Sequence, residues 1–79
     1  EINILHQLSK IERLRGENEN AQILLAEART KAAVLKQYDL LADNFREETF
    51  IADEEKRYED AYIYLNKYHF YSNLFDSRN

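Results

Sequence analysis

The sequence contains no cysteine, no proline, no tryptophan, no methionine and one glycine, Gly16. Without cysteine there is neither a disulfide framework nor a thiolate metal site. The period-two alternation and the turn dipeptides that indicate β-hairpins are also missing. These absences favour a small helical chain whose stability comes from side-chain packing.

Long apolar runs and clustered positive charge are absent as well. No uncharged run approaches the roughly 18–20 apolar residues of a membrane-spanning helix, and no signal peptide opens the chain. The net charge is −4, with basic residues scattered among acidic ones. Because phosphate binding needs clustered Lys and Arg, we expect neither membrane insertion nor nucleic-acid binding.

Charged residues (33%) and apolar residues (44%) are interleaved along the whole chain. Their spacing predicts four helices, over about residues 2–15, 18–34, 40–54 and 58–75. The side chains expected to face the core are Leu5, Leu8, Ile11, Leu14, Ala21, Leu24, Leu25, Ala28, Ala32, Leu41, Phe45, Ile51, Ala52, Tyr58, Ala61, Tyr62, Leu65, Tyr68 and Phe75.

The helix boundaries rest on turn and cap residues. Gly16 is expected to end the first helix, since glycine most easily adopts the left-handed backbone that closes a helix. Asn18 and Asp39 are the predicted N-caps of the second and third helices. A turn is expected at residues 55–57, with Lys56 at the place of Gly16. No strong breaker lies between residues 35 and 39, so one long helix over residues 18–55 is the open alternative.

The chain resembles itself when it is shifted by 40 residues. Four of the five identical pairs fall in one window, where Glu19, Ala21, Ile23 and Leu25 align with Glu59, Ala61, Ile63 and Leu65. The fifth pair is Ile11 with Ile51. A period of 20 to 50 residues is typical of solenoids, whose units bury their apolar faces by stacking. We therefore expect two units, residues 1–40 and 41–79.

The pattern of small and bulky residues resembles a tetratricopeptide repeat. In the first unit the matching residues are Leu5, Leu8, Ser9, Gly16, Asn18, Ala21, Leu25 and Ala28. In the second unit Phe45, Thr49, Tyr58, Ala61 and Leu65 match, whereas Glu48, Lys56 and Tyr68 depart from the pattern. The 40-residue period resembles the extended repeats of some bacterial regulators, and residues 58–75 resemble the last repeat of bacterial sensor kinases and transcription regulators.

This resemblance implies an all-α fold of two stacked antiparallel helical hairpins, an α-solenoid segment that binds proteins or peptides. The first helix of each unit would then line an inner groove. The residues expected there are Asn3, His6, Lys10, Arg13, Asp43, Arg46, Phe50 and Asp53. These positions are also what the polar side of an amphipathic helix would show.

The fourth helix carries a second apolar stripe formed by Ile63, Phe70 and Leu74. At about 100° per residue this stripe faces away from Ala61 and Leu65, which are expected to pack on the third helix. We therefore expect the stripe to bind a further repeat, another helix or a second copy of the chain.

Residues for catalysis or cofactor binding are not gathered in any known pattern. The two histidines, His6 and His69, lack the Glu-x-x-His spacing of di-iron bundles, and no phosphate-binding glycine loop is present. The acids of residues 47–60 are expected to form a solvated face, with an acidic patch for a basic partner as the other interpretation. We expect no enzyme activity and no cofactor. The predicted function is a protein-interaction module, with a helical-bundle oligomerisation or scaffold module as the alternative.

Overall fold

A computed structural model describes residues 1–78 and shows four α-helices. Helix α1 spans Ile2–Leu14, α2 spans Asn18–Leu35, α3 spans Tyr38–Glu54 and α4 spans Tyr58–Arg78. No residue within 1–78 lies in a β-strand. The predicted all-α fold is confirmed; Asn79, the last residue of the expected second unit, lies outside the described residues.

Each of the three loops reverses the chain through one residue with a left-handed backbone. These residues are Gly16, Lys36 and Lys56, with φ of 83°, 54° and 60°. In every loop the amide of this residue donates to the carbonyl three residues earlier, at 3.0–3.2 Å. The next amide donates to the carbonyl five residues earlier, at 2.8–3.0 Å. This pair of hydrogen bonds is the Schellman motif. The reversal within residues 35–39 and the turn at residues 55–57 are therefore present, and no single helix covers residues 18–55.

The two predicted N-caps are wrong by one or two residues. The carbonyl of Glu17 accepts the amide of Ala21, and the carbonyl of Gln37 accepts the amide of Leu41, both at 3.0 Å. Glu17 and Gln37 are therefore the cap residues, and neither uses its side chain as a cap. Because each Schellman motif ends at Glu17 or Gln37, the next helix begins directly after that residue, and Asn18 and Asp39 lie within α2 and α3.

The helices pack as two hairpins, α1 with α2 and α3 with α4. Helix α3 also packs against α2 and, over a shorter length, against α1. It is the most enclosed helix, with eight buried residues. One core cluster joins both hairpins and contains Ile2, Leu5, Ala28, Ala32 and Leu41. A second cluster, of Ala21, Leu25 and Ile51, lies between α2 and α3.

The predicted core face of α1 is partly wrong. Leu5 is buried, but Leu8, Ile11 and Leu14 are exposed. The buried side of α1 consists of Ile2, Leu5 and Ser9, which face the other helices. Because α1 is covered mainly by α2, Leu8, Ile11 and Leu14 on its other apolar stripe keep 44–73% of their surface exposed.

The predicted packing face of α4 is also partly wrong. Ala61 and Tyr68 are half-buried as expected, but Tyr58, Tyr62, Leu65 and Phe75 are exposed. The rings that contact α3 are Tyr64 and Tyr71, which stack on Phe45 with ring centroids 6.1 and 5.8 Å apart. Within residues 1–78, α4 packs along α3 alone, and a second broad apolar face of α4 stays exposed.

Candidate peptide-binding groove between α1 and α3

The structure brings the predicted groove residues of the two hairpins together. Helices α1 and α3 border a cavity of about 250 Å³. Its lining consists of Asn3, His6, Gln7, Lys10, Asp43, Arg46 and Glu47. Five of the eight residues expected from the sequence therefore surround one cavity, although the two helices are separated by α2 in the chain.

Arg13 and Phe50 extend this surface towards the far ends of α1 and α3. The guanidinium of Arg13 lies 5.5 Å from the centroid of the Phe50 ring, a cation–π contact. Arg13 Nε also donates to Glu47 Oε1 at 3.2 Å. Phe50 keeps 44% of its surface exposed, so an apolar ring remains open to a ligand beside the charged pair. Asp53 is exposed one turn further on and does not line the cavity.

Asn44, a fully buried residue that the sequence prediction missed, connects the helices that border the groove. Asn44 Nδ2 donates to the carbonyl of Leu25 at 2.8 Å and lies 3.2 Å from His6 Nε2. Its Oδ1 accepts a hydrogen bond from Arg29 Nη1 at 3.0 Å. One amide group therefore links α1, α2 and α3. Its spacing of three, four and seven residues from Leu41, Glu48 and Ile51 places it on the buried face of α3 and is the signal that could have identified it.

His6 is the groove residue with a shifted pKa. Burial lowers the pKa of the imidazole because desolvation disfavours its charged form. Asp43 and Glu47 act in the opposite direction, and the positive charge of Lys10 adds to the lowering. A neutral ring whose Nε2 carries no proton can accept the second amide hydrogen of Asn44.

The acidic residues at the start of the 47–60 segment are not solvated, which corrects the sequence expectation for two of them. Glu47 and Glu48 are buried. Glu48 Oε2 accepts a hydrogen bond from Arg29 at 3.1 Å, and Glu47 is paired with Arg13. Both carboxylates therefore hold α3 against the first hairpin. Further along, Asp60 is half-buried and bound to Arg57, whereas Asp53, Glu54, Glu55 and Glu59 are exposed.

The α4 stripe is a separate surface from the groove. Ile63 and Phe70 are exposed and Leu74 is half-buried. The matching positions of α2, forty residues earlier, are Ile23, Thr30 and Val34, which are also exposed. This side of each hairpin is therefore left uncovered by the other hairpin.

A larger and more apolar cavity of about 450 Å³ lies where α1 begins and where α2 and α3 meet. Its apolar walls are Ile2, Val34, Leu35 and Leu40. Within residues 1–78, no three His, Cys, Asp or Glu side chains converge as metal ligands. No described helix is both long enough and apolar enough to cross a membrane.

No protein-family model, no curated protein and no solved structure matches this chain.

Proposed function

We propose that this chain is a non-catalytic protein-interaction module of tetratricopeptide type, which binds a peptide segment of a partner protein in the groove between α1 and α3. The observation that supports this most is the single cavity formed by Asn3, His6 and Lys10 of α1 with Asp43 and Arg46 of α3. Arg13 and Phe50 continue the same surface.

The two ends of the groove suit different side chains of a peptide. Lys10 and Arg46 are exposed cations near the cavity, and Arg46 has only a long contact of 3.9 Å to Asp43. They can therefore bind a carboxylate with little loss of existing pairing. At the other end the exposed ring of Phe50 can pack against an apolar side chain. The partner segment would thus carry an acidic residue and an apolar residue on one side.

The test is selection of random peptides displayed on phage against the whole chain. Enriched peptides are expected to carry the acidic and apolar pair. Their affinity should fall about tenfold in Lys10→Glu and Arg46→Glu variants, the loss expected for one charge-assisted contact. The matched control is Lys31→Glu on α2, a solvent-exposed lysine outside the groove. Peptides that bind the groove variants and the control equally well would contradict the proposal.

The resemblance of residues 58–75 to the last repeat of bacterial sensor kinases and transcription regulators supports a place within a signalling protein. A chain segment that joins such a protein to its partner needs no catalytic group of its own.

The alternative, an oligomerisation or scaffold module, has its own supporting observation in the exposed side chains of Ile63 and Phe70. Its long-helix form does not agree with the chain reversal at residues 36–37. If the stripe joins two subunits, Phe70→Glu combined with Leu74→Lys will yield a folded monomer with unchanged helix content. A wild-type chain that stays monomeric at millimolar concentration would contradict this alternative.

A further inference from the structure

The contact between α2 and α3, which forms most of the contact between the two hairpins, has one side on each helix. On α3 it uses Asn44, Glu48 and Ile51, which are all buried. On α2 it uses Leu25 and Arg29, with Leu25 packed against Ile51 and Arg29 bound to Asn44 and Glu48 at 3.0 and 3.1 Å. At its edge, Asn18 Nδ2 donates to Glu55 Oε2 at 3.3 Å.

Each side of this contact has a counterpart forty residues away on an outer face of the molecule. The residues forty positions before Asn44, Glu48 and Ile51 are Ile4, Leu8 and Ile11 on α1. These three side chains are 44–53% exposed. The residues forty positions after Asn18, Leu25 and Arg29 are Tyr58, Leu65 and His69 on α4. All three are exposed. We name these two surfaces the α1 face and the α4 face. Within residues 1–78 the large apolar side chains of these faces keep 41–62% of their surface exposed.

The two faces are more apolar than the contact that they match. Ile4 and Leu8 stand at the positions of Asn44 and Glu48, and Tyr62, which is 67% exposed, adds a ring beside Leu65. The hydrogen-bonded pair Asn18 and Glu55 corresponds to Tyr58 and Arg15, and Arg15 keeps 69% of its side chain exposed. An arginine over a tyrosine ring is a favourable contact. Each face therefore presents side chains that suit the other.

We infer that the α1 face of one copy of this chain packs on the α4 face of a second copy, in the arrangement that α3 already adopts on α2. The loops at Gly16 and Lys56 have the same hydrogen bonds, forty residues apart. The two hairpins therefore turn in the same way, and α4 can accept a helix of a second copy as α2 accepts α3. Such a contact joins different surfaces and leaves one of each open, so it produces stacks rather than closed dimers. It would also place α1 of the second copy beside α3 of the first and so prolong the groove.

The test measures mass against concentration by sedimentation velocity, from micromolar to millimolar chain. The wild-type mass should rise without a plateau at the dimer. Leu8→Glu blocks the α1 face and Leu65→Glu blocks the α4 face, so each variant alone should be a monomer. Their equimolar mixture keeps one intact face on each partner and should form a dimer of one copy of each.

Phe70→Glu is the matched control, because it places the same charge on α4 outside the α4 face; it should assemble like the wild type. Circular dichroism of each variant verifies that helix content is retained, and Ile4→Glu replaces Leu8→Glu if the latter unfolds. A wild-type chain that is monomeric at millimolar concentration would overturn the inference. So would a mixture of the two folded variants that stays monomeric, or assembly that is lost in Phe70→Glu but kept in Leu8→Glu.

Discussion

The two hairpins have the same loops but different interiors. In the first hairpin, α2 presents Ala28 and Ala32, both fully buried, together with Leu5 of α1. In the second hairpin, α4 presents the rings of Tyr64 and Tyr71, which stack on Phe45 of α3. Small side chains allow two helix axes to approach closely, whereas stacked rings fill a wider gap. The Schellman loops therefore determine where the chain reverses. The side chains between the paired helices then differ, with alanines in the first hairpin and aromatic rings in the second.

The hairpins also differ in what covers them. In the part of the chain that the structure describes, α2 packs against both α1 and α3, whereas α4 packs along α3 alone. As a result Leu25 is fully buried, but Leu65, its counterpart on α4, is exposed. Side chains at equivalent positions thus have different energetic roles, and paired substitutions can measure the difference.

The largest expected effect is at the aromatic centre of the second hairpin. Phe45→Ala removes the ring that Tyr64, Tyr71, Arg29 and Lys67 all contact, and should lower the free energy of unfolding by about 3–5 kcal/mol. Its counterpart Leu5→Ala should cost about 2–3 kcal/mol, because fewer atoms are lost. Urea unfolding followed by circular dichroism measures both. A larger loss for Leu5→Ala would reverse the comparison.

Asn44 should be the next most sensitive position. Asn44→Ala removes the hydrogen bonds to the carbonyl of Leu25 and to the guanidinium of Arg29, which then keeps only its contact with Glu48, and should cost about 2–4 kcal/mol. Its counterpart Ile4 is exposed, so Ile4→Ala should change the stability by no more than about 0.5 kcal/mol. Similar losses at both positions in urea unfolding would mean that Asn44 does not link the three helices.

The small residues of α2 and α4 give a third comparison. Ala21 is fully buried between helices, so Ala21→Leu should overpack the site and cost about 1–3 kcal/mol. Ala61 is half-buried, and the added side chain of Ala61→Leu can turn towards solvent, so its cost should stay near 0.5 kcal/mol. Thermal unfolding distinguishes the two. A neutral Ala21→Leu would contradict the observed helix packing.

Gly16 and Lys56 occupy equivalent loop positions, so a substitution at each one compares the two loops. A Cβ at Gly16 would meet no atom within 4 Å, so Gly16→Ala should lose only the backbone preference, about 1–2 kcal/mol. Lys56 has the same left-handed backbone, and Lys56→Gly should gain about 0.5–1 kcal/mol after the entropy of glycine is subtracted. If Lys56→Gly proves destabilising in chemical denaturation, the two loops are not equivalent.

The smallest expected effect is a pH dependence that originates in the first hairpin. The pKa of His6 is lower in the folded chain than in the unfolded chain because the ring is desolvated. Its contribution to stability is therefore complete above the unfolded pKa of about 6.5 and declines as the pH falls below that value. Unfolding measured between neutral pH and about pH 5.5 should show this decline in the wild type and less of it in His6→Gln. His69→Gln, at an exposed position on α4, is the control for the substitution itself.

The fold could be predicted from the sequence because the chain has no proline and one glycine, so few residues interrupt its helix-forming segments. Gly16 and the apolar spacing indicated the helices, and Leu41, Phe45, Ile51 and Ala52 are buried as expected. The caps were wrong because a Schellman loop, not a capping side chain, starts α2 and α3. Cap propensity alone does not report this backbone geometry.

The positions around the cavity between α1 and α3 could be predicted from helical spacing, whereas binding of a peptide there stays a prediction. Helical spacing placed Asn3, His6 and Lys10 on one side of α1, and Asp43 and Arg46 on one side of α3. Periodicity could not indicate which apolar stripe of α1 or α4 is covered, since each helix has two stripes. The choice depends on the neighbouring helices. Asn44 and Glu48 share the buried face of α3 with Leu41 and Ile51, and they were missed because a polar side chain is expected in a core only where a partner such as Arg29 is known.

The central claim is that the chain reverses at Lys36 and places α3 on α2 within one molecule. Nuclear Overhauser spectroscopy of methyl groups, with isotope filtering to remove contacts between chains, tests it most directly. Leu25 and Ile51 belong to one buried cluster, so their methyl groups should give a strong intramolecular cross-peak. In one unbroken helix these residues would lie about 40 Å apart. An absent cross-peak, with helical backbone shifts continuing through residues 34–39, would contradict the two-hairpin fold.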